Sequence, residues 1–335
     1  MIKLKVAVVC GGNSREREVS IKSGKNVFDS LNKDLYEPYL VIIDTNLAWY
    51  DQTRNQTLDL YSTSKGINSK VKDLYDLAFL TVHGTFGEDG QLQSMLDFIG
   101  LPYTHSGRLA SSMAMDKITT SNLLGSYGVL TPRTMEFNSS HDIESLGEKL
   151  LTDFKFPFIL KPNSGGSSIA TFKVVEELEL VQALGFLAKE LPNQMILAQE
   201  FISGRELTCP VIGNINSELK ALAVGEIITG ADFFDYNAKY FDATTEEIFP
   251  AKIDYEIEKQ VKHLSTTAHQ VLGCDGLTRS DFILTDKNEV YFLETNTNPG
   301  MSSASLCPKA AKLEYGSISV FLDQIINLAK DKFKL

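Results

Sequence analysis

The sequence predicts a mixed protein, α/β at its N-terminal end and α+β beyond, and three observations carry that expectation. Short apolar strands alternate with helical segments over the first hundred residues, the pattern of a parallel sheet with crossover helices. A length of 335 residues suits two or three domains rather than one. Towards the C-terminal end, two apolar runs flank the polar turn Asp286-Lys287-Asn288 and read as an antiparallel hairpin.

Residues 3–10 are the first expected strand, apolar enough to be buried in a parallel sheet. Gly11-Gly12 turns the chain into a helix that runs through about residue 28. Residues 39–44 and 77–82 read as further strands, joined by a polar connection over 53–72. A helix over 90–99 stops at Gly100, and Leu101-Pro102-Tyr103 is extended. Residues 116–124 read as a helix, broken by Gly128 and by Pro132, which pushes Thr131 towards extended geometry. Strands at 156–161 and 169–174 bracket a Gly/Ser loop, and a helix covers 176–189. Strands at 206–212 and 219–228, a long polar-aromatic loop at 229–250 and a helix at 255–272 precede the hairpin. A helix over 317–330 closes the pattern. The expected domains are 1–105 (α/β), 106–197 (a small α+β unit) and 198–335 (an antiparallel-sheet unit).

Composition narrows the function. A net charge of -11 argues against a nucleic-acid partner and against an anionic membrane surface. Any anionic substrate must therefore be held by local Lys, Arg and backbone N–H groups. No apolar run reaches the roughly 18–20 residues of a membrane helix, so no membrane insertion is expected. Cys10, Cys209, Cys274 and Cys307 are scattered without CxxC spacing, which suits reduced thiols in a cytoplasmic protein.

The hairpin is the most informative segment. If Lys287 and Asn288 form the loop, Asp281 lies opposite Glu294 and Arg279 opposite Asn296. Side chains alternate along a strand, so all four share one face. Directly opposed like charges are destabilising, and two carboxylates with an amide oxygen suit Mg²⁺. An odd-length loop would shift the register by one, and a solvated acidic strand face is the alternative reading.

Four other segments invite chemistry. Lys161-Pro-Asn-Ser-Gly165-Gly166-Ser167-Ser168 lies between strands, either as an anion-binding loop or as a flexible turn. Gly11-Gly12 and the run to Glu18 follow the first strand, at the edge where open α/β sheets bind ligands. The run lacks the third glycine of a dinucleotide fingerprint and also fits a plain strand–helix turn. His83-Gly-Thr-Phe-Gly87-Glu88-Asp89-Gly90 follows another apolar strand, where His83 is either structural or a ligand group. The loop at 229–250 carries Lys239 and Tyr240 and has the length of a lid.

In chain order, GGNSREREVS, HGTFGEDG, MDK, KPNSGGSS, FISGRE, FDYNAKY, RSD and ETNTNPGMSSASL resemble the D-alanine–D-alanine ligases of the ATP-grasp superfamily, over nearly the whole chain. The resemblance implies an ATP-grasp fold with ATP gripped between the second and third domains, and a cytoplasmic homodimer. It implies an ATP-dependent carboxylate-amine ligase that forms D-alanyl-D-alanine for peptidoglycan precursors, with ATP as co-substrate and two Mg²⁺ or Mn²⁺ ions. Lys117 and Lys161 would contact phosphates, with Ser167 and Ser168 in a phosphate-covering loop and Lys239 in the lid. Glu206 would bind ribose, and Gln199, Glu200 and Ile202 would lie along the adenine. Gln199 departs from the family, which usually has glutamate there. Asp281, Glu294 and Asn296 would hold the metals. Glu16 and His83 would surround the first D-alanine, with Glu88 in support. Ser305 and the Leu306 N–H would take the second carboxylate. Glu16, Ser167 and Tyr240 would close the site, and Arg279 with the Gly300 N–H would stabilise a tetrahedral oxyanion. Two rivals stand beside this: a related ligase making a depsipeptide or a D-Ala-D-Ser product, and a nucleotide-dependent oxidoreductase or binding protein built on the first strand.

Overall fold

The computed structural model describes residues 2–60, 71–166, 170–228 and 246–335. Strand β1 (Leu4–Gly11) buries Val6, Ala7, Val8, Val9 and Cys10 on both faces, which demands a central position. Helix α1 (Arg17–Ser30) crosses over to β2 (Tyr36–Ile43), parallel to β1. Strands β3 (Trp49–Asp51) and β4 (Gln56–Leu58) extend that side antiparallel. After the short helix α2 (Val71–Leu74), β5 (Leu77–Leu80) pairs in parallel on the other side of β1, giving the order β4-β3-β2-β1-β5. The connection expected over 53–72 thus contains a strand. Its polarity reflects an edge: Gln56 and Thr57 are exposed, and only Leu58 turns inward. Helix α3 (Gln91–Ile99) ends at Gly100 with φ 71°, and Tyr103 bridges Ala78.

Helices α4 (Arg108–Met115) and α5 (Lys117–Ser126) come next, with Asp116 capping α5 through Thr119 N. Beyond them lie β6 (Thr134–Asn138), α6 (Ile143–Asp153), β7 (Phe158–Pro162), β8 (Phe172–Val174), α7 (Glu177–Glu190) and β9 (Met195–Glu200). The four strands form an antiparallel sheet in the order β6-β9-β7-β8. β9 pairs with both β6 and β7 along its length, so the boundary expected at 197/198 cuts a central strand; the sheet extends through Glu200. Neither β6 nor α6 was expected, although Asp142 caps α6 through Ser145 N at 2.9 Å.

The third sheet is antiparallel throughout. It contains β10 (Arg205–Ile212), β11 (Lys220–Ala221), β12 (Gly225–Ile228), β13 (Glu246–Ile248), β14 (Leu277–Leu284) and β15 (Val290–Asn296), in the order β13-β12-β10-β14-β15 with β11 beside β10. The strand expected over 219–228 is broken where the Leu222 N–H turns to the Pro210 carbonyl. Helix α8 (Tyr255–Val271) packs on this sheet. Helices α4 and α5 pack against α8 and β15 rather than on the central sheet, with Ala110 and Ala114 against Leu272 and Cys274. Finally α9 (Leu306–Tyr315) and α10 (Ile318–Phe333) return to the first sheet, where Phe321, Leu322, Ile325 and Ile326 pack with Val6, Val8 and Phe79. All four cysteines are free and buried. Among the described residues, no helix is long and apolar enough to cross a membrane.

Candidate active site

The β14–β15 hairpin sets Asp281 opposite Glu294 and Arg279 opposite Asn296. The expected opposition holds, but not through a symmetric turn. Asn288 N and Glu289 O both bond Thr285 backbone atoms, and Asn288 takes a left-handed φ of 62°. That turn is odd in length and pairs Phe282 with Phe292. A β-bulge after Asp281, with Leu293 as the extra residue, shifts the register back by one. Two irregularities cancel, and the carboxylates face each other.

Asp281 is held by donors on three sides. Arg279 donates to it twice, from Nε at 2.9 Å and Nη2 at 2.7 Å. Thr208 Oγ1 donates at 2.6 Å and Asn296 Nδ2 at 3.2 Å. Such charge-assisted pairs fix the carboxylate's direction as well as its charge. Glu294 lies 3.5 Å from Lys117 Nζ. Two carboxylates and an amide, with no sulfur or imidazole among them, are the donor set of a hard cation. Among the described residues, no group of three or more His, Cys, Asp or Glu side chains is arranged to hold a metal ion by itself. The remaining oxygens of a bound Mg²⁺ would have to come from substrate and water, the usual mode for that ion.

A cavity of about 860 Å³ separates the central sheet from the third sheet. Ile159, Ile202, Ile228, Ile283 and Leu293 form apolar walls, and Gln199, Glu200 and Glu206 lie along it. Lys117, Lys161, Asp281 and Glu294 also line it, as do Gly165 and Gly166. Lys117 and Lys161 come from different sheets' neighbourhoods and are brought together by Asn163. Asn163 Nδ2 donates to Asp116 at 2.8 Å, its Oδ1 accepts from Ile118 N at 3.0 Å, and its carbonyl accepts from Lys117 N at 3.3 Å. Lys117 Nζ donates to the Gly165 carbonyl at 2.6 Å. Burial, and then the charge of Lys117, lower the pKa of Lys161 to about 8. The Glu294 carboxylate partly offsets the two cations.

A second cluster of side chains gathers around Glu16 and Arg279, whose charges both act on His83 and Glu88. Glu16, at the head of α1, is buried and also lines the cleft. A Cβ at Gly84 would sit 2.5 Å from its Oε2, and one at Gly166 2.9 Å, so both glycines leave room for this carboxylate. Glu88 accepts from Gly84 N at 2.7 Å; burial and the charge of Glu16 raise its pKa to about 8. His83 is buried between Ser23 Oγ at 2.9 Å and the Asn298 carbonyl at 3.0 Å. Burial lowers its pKa, which keeps the ring neutral. Ser305 caps the approach to α9, with Ser302 N at 3.1 Å and Ser302 Oγ at 2.8 Å. Leu306 begins that helix, whose first-turn N–H groups have no partner within it. A Cβ at Gly300 would sit 2.8 Å from Ser305 Oγ, which would have to turn aside.

The fold therefore gathers Glu16, Lys117, Lys161, Gln199, Glu200, Ile202, Glu206, Asp281 and Glu294 on one cavity. Arg279 and Asn296 join through Asp281; His83 and Glu88 lie near Glu16 and Arg279, and Gly300 lies against Ser305 at the start of α9. Ser167, Ser168, Lys239 and Tyr240 lie outside the described residues, as do residues 229–245 of the loop expected over 229–250; its end is not loop but strand β13, paired with β12. Sequence reasoning missed Thr208, Asn163, Asn298, Ser23 and Asn26. Asn163 carried a signal, an amide beside Lys161 in the same loop; the others sit in plain strand and helix patterns.

Comparison with known proteins agrees with this layout. The family model described as D-ala D-ala ligase N-terminus matches residues 5–106, and that described as D-ala D-ala ligase C-terminus matches residues 123–327. A D-alanine–D-alanine ligase of Carboxydothermus hydrogenoformans is 36% identical over 328 residues, which covers 97% of this chain and 98% of that one. Among solved structures, the D-alanine–D-alanine ligase of Bacillus anthracis complexed with ATP aligns with a TM-score of 0.78 at 30% identity, covering 100% and 99% of the two chains. The VanG D-Ala:D-Ser ligase of Enterococcus faecalis aligns with a TM-score of 0.83 at 30% identity, covering 98% and 100%.

Proposed function

The chain belongs to the D-alanine–D-alanine ligase family, and from that premise we propose that it joins two D-alanine molecules in an ATP-dependent reaction through an acyl phosphate. The observation that carries this reading is the meeting of Lys117, Lys161, Asp281 and Glu294 on one nucleotide-sized cavity that Glu16 also lines.

The cavity walls take the adenosine and its far end takes the phosphates. Lys117 and Lys161 hold the β- and γ-phosphates, and Gly165 and Gly166 let the backbone approach them. Asp281, Glu294 and Asn296 hold Mg²⁺ or Mn²⁺, which when bound offsets the charge of the transferring phosphoryl group. Glu16 orients the first D-alanine so that its carboxylate meets the γ-phosphate. The second D-alanine docks its carboxylate on Ser305 and the Leu306 N–H, where the positive end of α9 favours an anion. Its amine attacks the acyl phosphate; Arg279 and the Gly300 N–H stabilise the oxyanion that forms. The products are D-alanyl-D-alanine, ADP and phosphate, and the dipeptide enters peptidoglycan precursors. The reading includes a cytoplasmic homodimer.

The test is ADP release with D-alanine alone and against D-lactate and D-serine, with product masses. D-alanyl-D-alanine should dominate between about pH 6 and 8, because Tyr240 carries no cation at the lid to favour a depsipeptide. Dominant D-Ala-D-Ser or D-Ala-D-lactate would move the chain to a sister activity. Glu294→Gln keeps the shape and removes one charge; turnover at ordinary Mg²⁺ should fall on the order of 10²-fold or more. Near-normal turnover would refute the metal assignment.

A further inference from the structure

The loop that follows β15 is tied to the first domain at four points. His83 Nδ1 lies 3.0 Å from the Asn298 carbonyl, and Asn298 Nδ2 donates to the Val82 carbonyl at 2.8 Å. The Met301 N–H donates to Ser23 Oγ at 3.1 Å, and Asn26 Nδ2 donates to the Met301 carbonyl at 2.7 Å. A carbonyl only accepts, so the ring proton of neutral His83 sits on Nδ1. Its Nε2 must then accept, and the Ser23 hydroxyl at 2.9 Å supplies the proton. Ser23 is fully used, as donor to His83 and acceptor from Met301. Ser23 and Asn26 are one turn apart on the inner face of α1, Ser23 with no exposed surface.

Gly300 stands between the two anchored residues, Asn298 and Met301. Glycine has the greatest backbone freedom of any residue, and a Cβ here would meet Ser305 Oγ at 2.8 Å. Its N–H direction must therefore be set by its neighbours. We propose that Ser23 and Asn26 are positioning residues for amide-bond formation: by clamping Met301 and His83 they aim the Gly300 N–H at the developing oxyanion. This rests on the reading of Gly300 given above.

The consequence concerns the fate of the acyl phosphate. In the productive step the amine nitrogen bonds the carbonyl carbon, the carbon–oxygen bond to phosphate breaks, and phosphate leaves with the electron pair. The spare amine proton goes to solvent. If Gly300 is misaligned, phosphoryl transfer in the cleft still proceeds but amine attack slows. Water then attacks the same carbon and returns D-alanine and phosphate. ADP release becomes uncoupled from dipeptide.

The experiment uses the full chain with Ser23→Ala, Asn26→Ala and Asn26→Asp, and with Lys22→Ala, exposed on the same helix, as control. ADP and dipeptide are counted in the same reaction, alongside KM for ATP and the thermal midpoint. Each α1 variant should release more than one ADP per dipeptide, lose about 10-fold or more in kcat/KM for the second D-alanine, and keep the ATP KM. Asn26→Asp keeps the shape but sets a carboxylate against a carbonyl, so it should uncouple as Asn26→Ala does. If Ser23→Ala fails to fold, the partly exposed Asn26 still carries the test. One ADP per dipeptide in the Asn26 variants, whatever their stability, would overturn the clamp. A wild-type chain that makes no dipeptide would instead overturn the ligase reading on which the clamp depends.

Discussion

The central sheet and the first sheet close their cores in opposite ways. The central core, with Phe137, Leu150, Phe158, Leu160, Leu184 and Ile196, is built only from residues between 135 and 198. The first sheet buries one face against Leu277, Met301, Cys307 and the α10 residues Phe321 and Ile325, all from the far end of the sequence. One body is self-sufficient and the other is shared. The self-sufficient body carries Lys161 and one wall of the cavity, and Asn163 fastens it to α5 beside Lys117. A grip needs a jaw that keeps its shape when it shifts, and a closed private core supplies one. The shared core does the reverse: it fastens the segment of α1 and His83 to the loop of Gly300, which four hydrogen bonds also tie together.

The difference can be broken from either side. Phe321→Ala should cost about 3–5 kcal/mol, as large aromatic truncations in cores do. Hydrogen exchange should then rise in β1, β5 and β14 together. Leu160→Ala should cost about 2–5 kcal/mol, with faster exchange confined to residues 134–200. Loosening of β1 by Leu160→Ala would show one cooperative body instead of two.

The two bodies also meet electrically. Lys161 belongs to the central sheet, and its pKa of about 8 comes from burial and then from Lys117 of the neighbouring body. Its charge is present below that value and is lost as pH rises through it. Affinity for a non-hydrolysable ATP analogue should therefore weaken between about pH 8 and 10, by roughly tenfold if one charged phosphate contact of about 1.5 kcal/mol goes. Lys161→Arg should flatten the profile, since guanidinium stays charged. A flat wild-type profile would separate Lys161 from the phosphates.

The smallest effect is expected at Gln199, on the jaw's inner face. Thr134 Oγ1 donates its one proton to the Pro132 carbonyl at 2.9 Å, so it accepts from Gln199 Nε2 at 3.0 Å. In the proposed ATP complex the Gln199 carbonyl would accept from the adenine amine. Gln199→Glu adds charge to that contact and should lower the KM for ATP by about 2- to 5-fold. A higher KM would mean that the bond to Thr134 outweighs the charge.

Sequence reasoning found this site because its chemistry is written in compact motifs. The carboxylates of the hairpin and Lys161 with the glycines after it stand out locally, whereas Lys117 was marked only by the family resemblance. The hairpin register came out right although the turn did not, since the Leu293 bulge leaves no mark in a strand of apolar residues. The first sheet's strands were legible because β1, β2 and β5 are apolar on both faces. β4 was not, because an edge strand with one buried residue looks like a loop. Strand β6 has a single buried side chain, Phe137, and hid for the same reason. Ser23 and Asn26 were invisible on other grounds: their partners lie 278 and 275 positions away, and a polar residue on a helix signals nothing until its neighbour is known.

The return of α10 to the first sheet has a consequence for how the chain is made. Synthesis delivers β1, β2 and β5 early, yet the residues that cover their inner face, from Phe321 to Ala329, come some 240 positions after β5. Domains generally fold as units as they emerge from the ribosome. The central sheet can complete itself on that schedule. The first sheet cannot, and a patch of valines, leucines and Phe79 must wait, wet and adhesive, for the last helix to be translated. A nascent chain stalled before residue 318 should be a client for holdase chaperones, with the contact mapped to β1 and β5 rather than to the central strands.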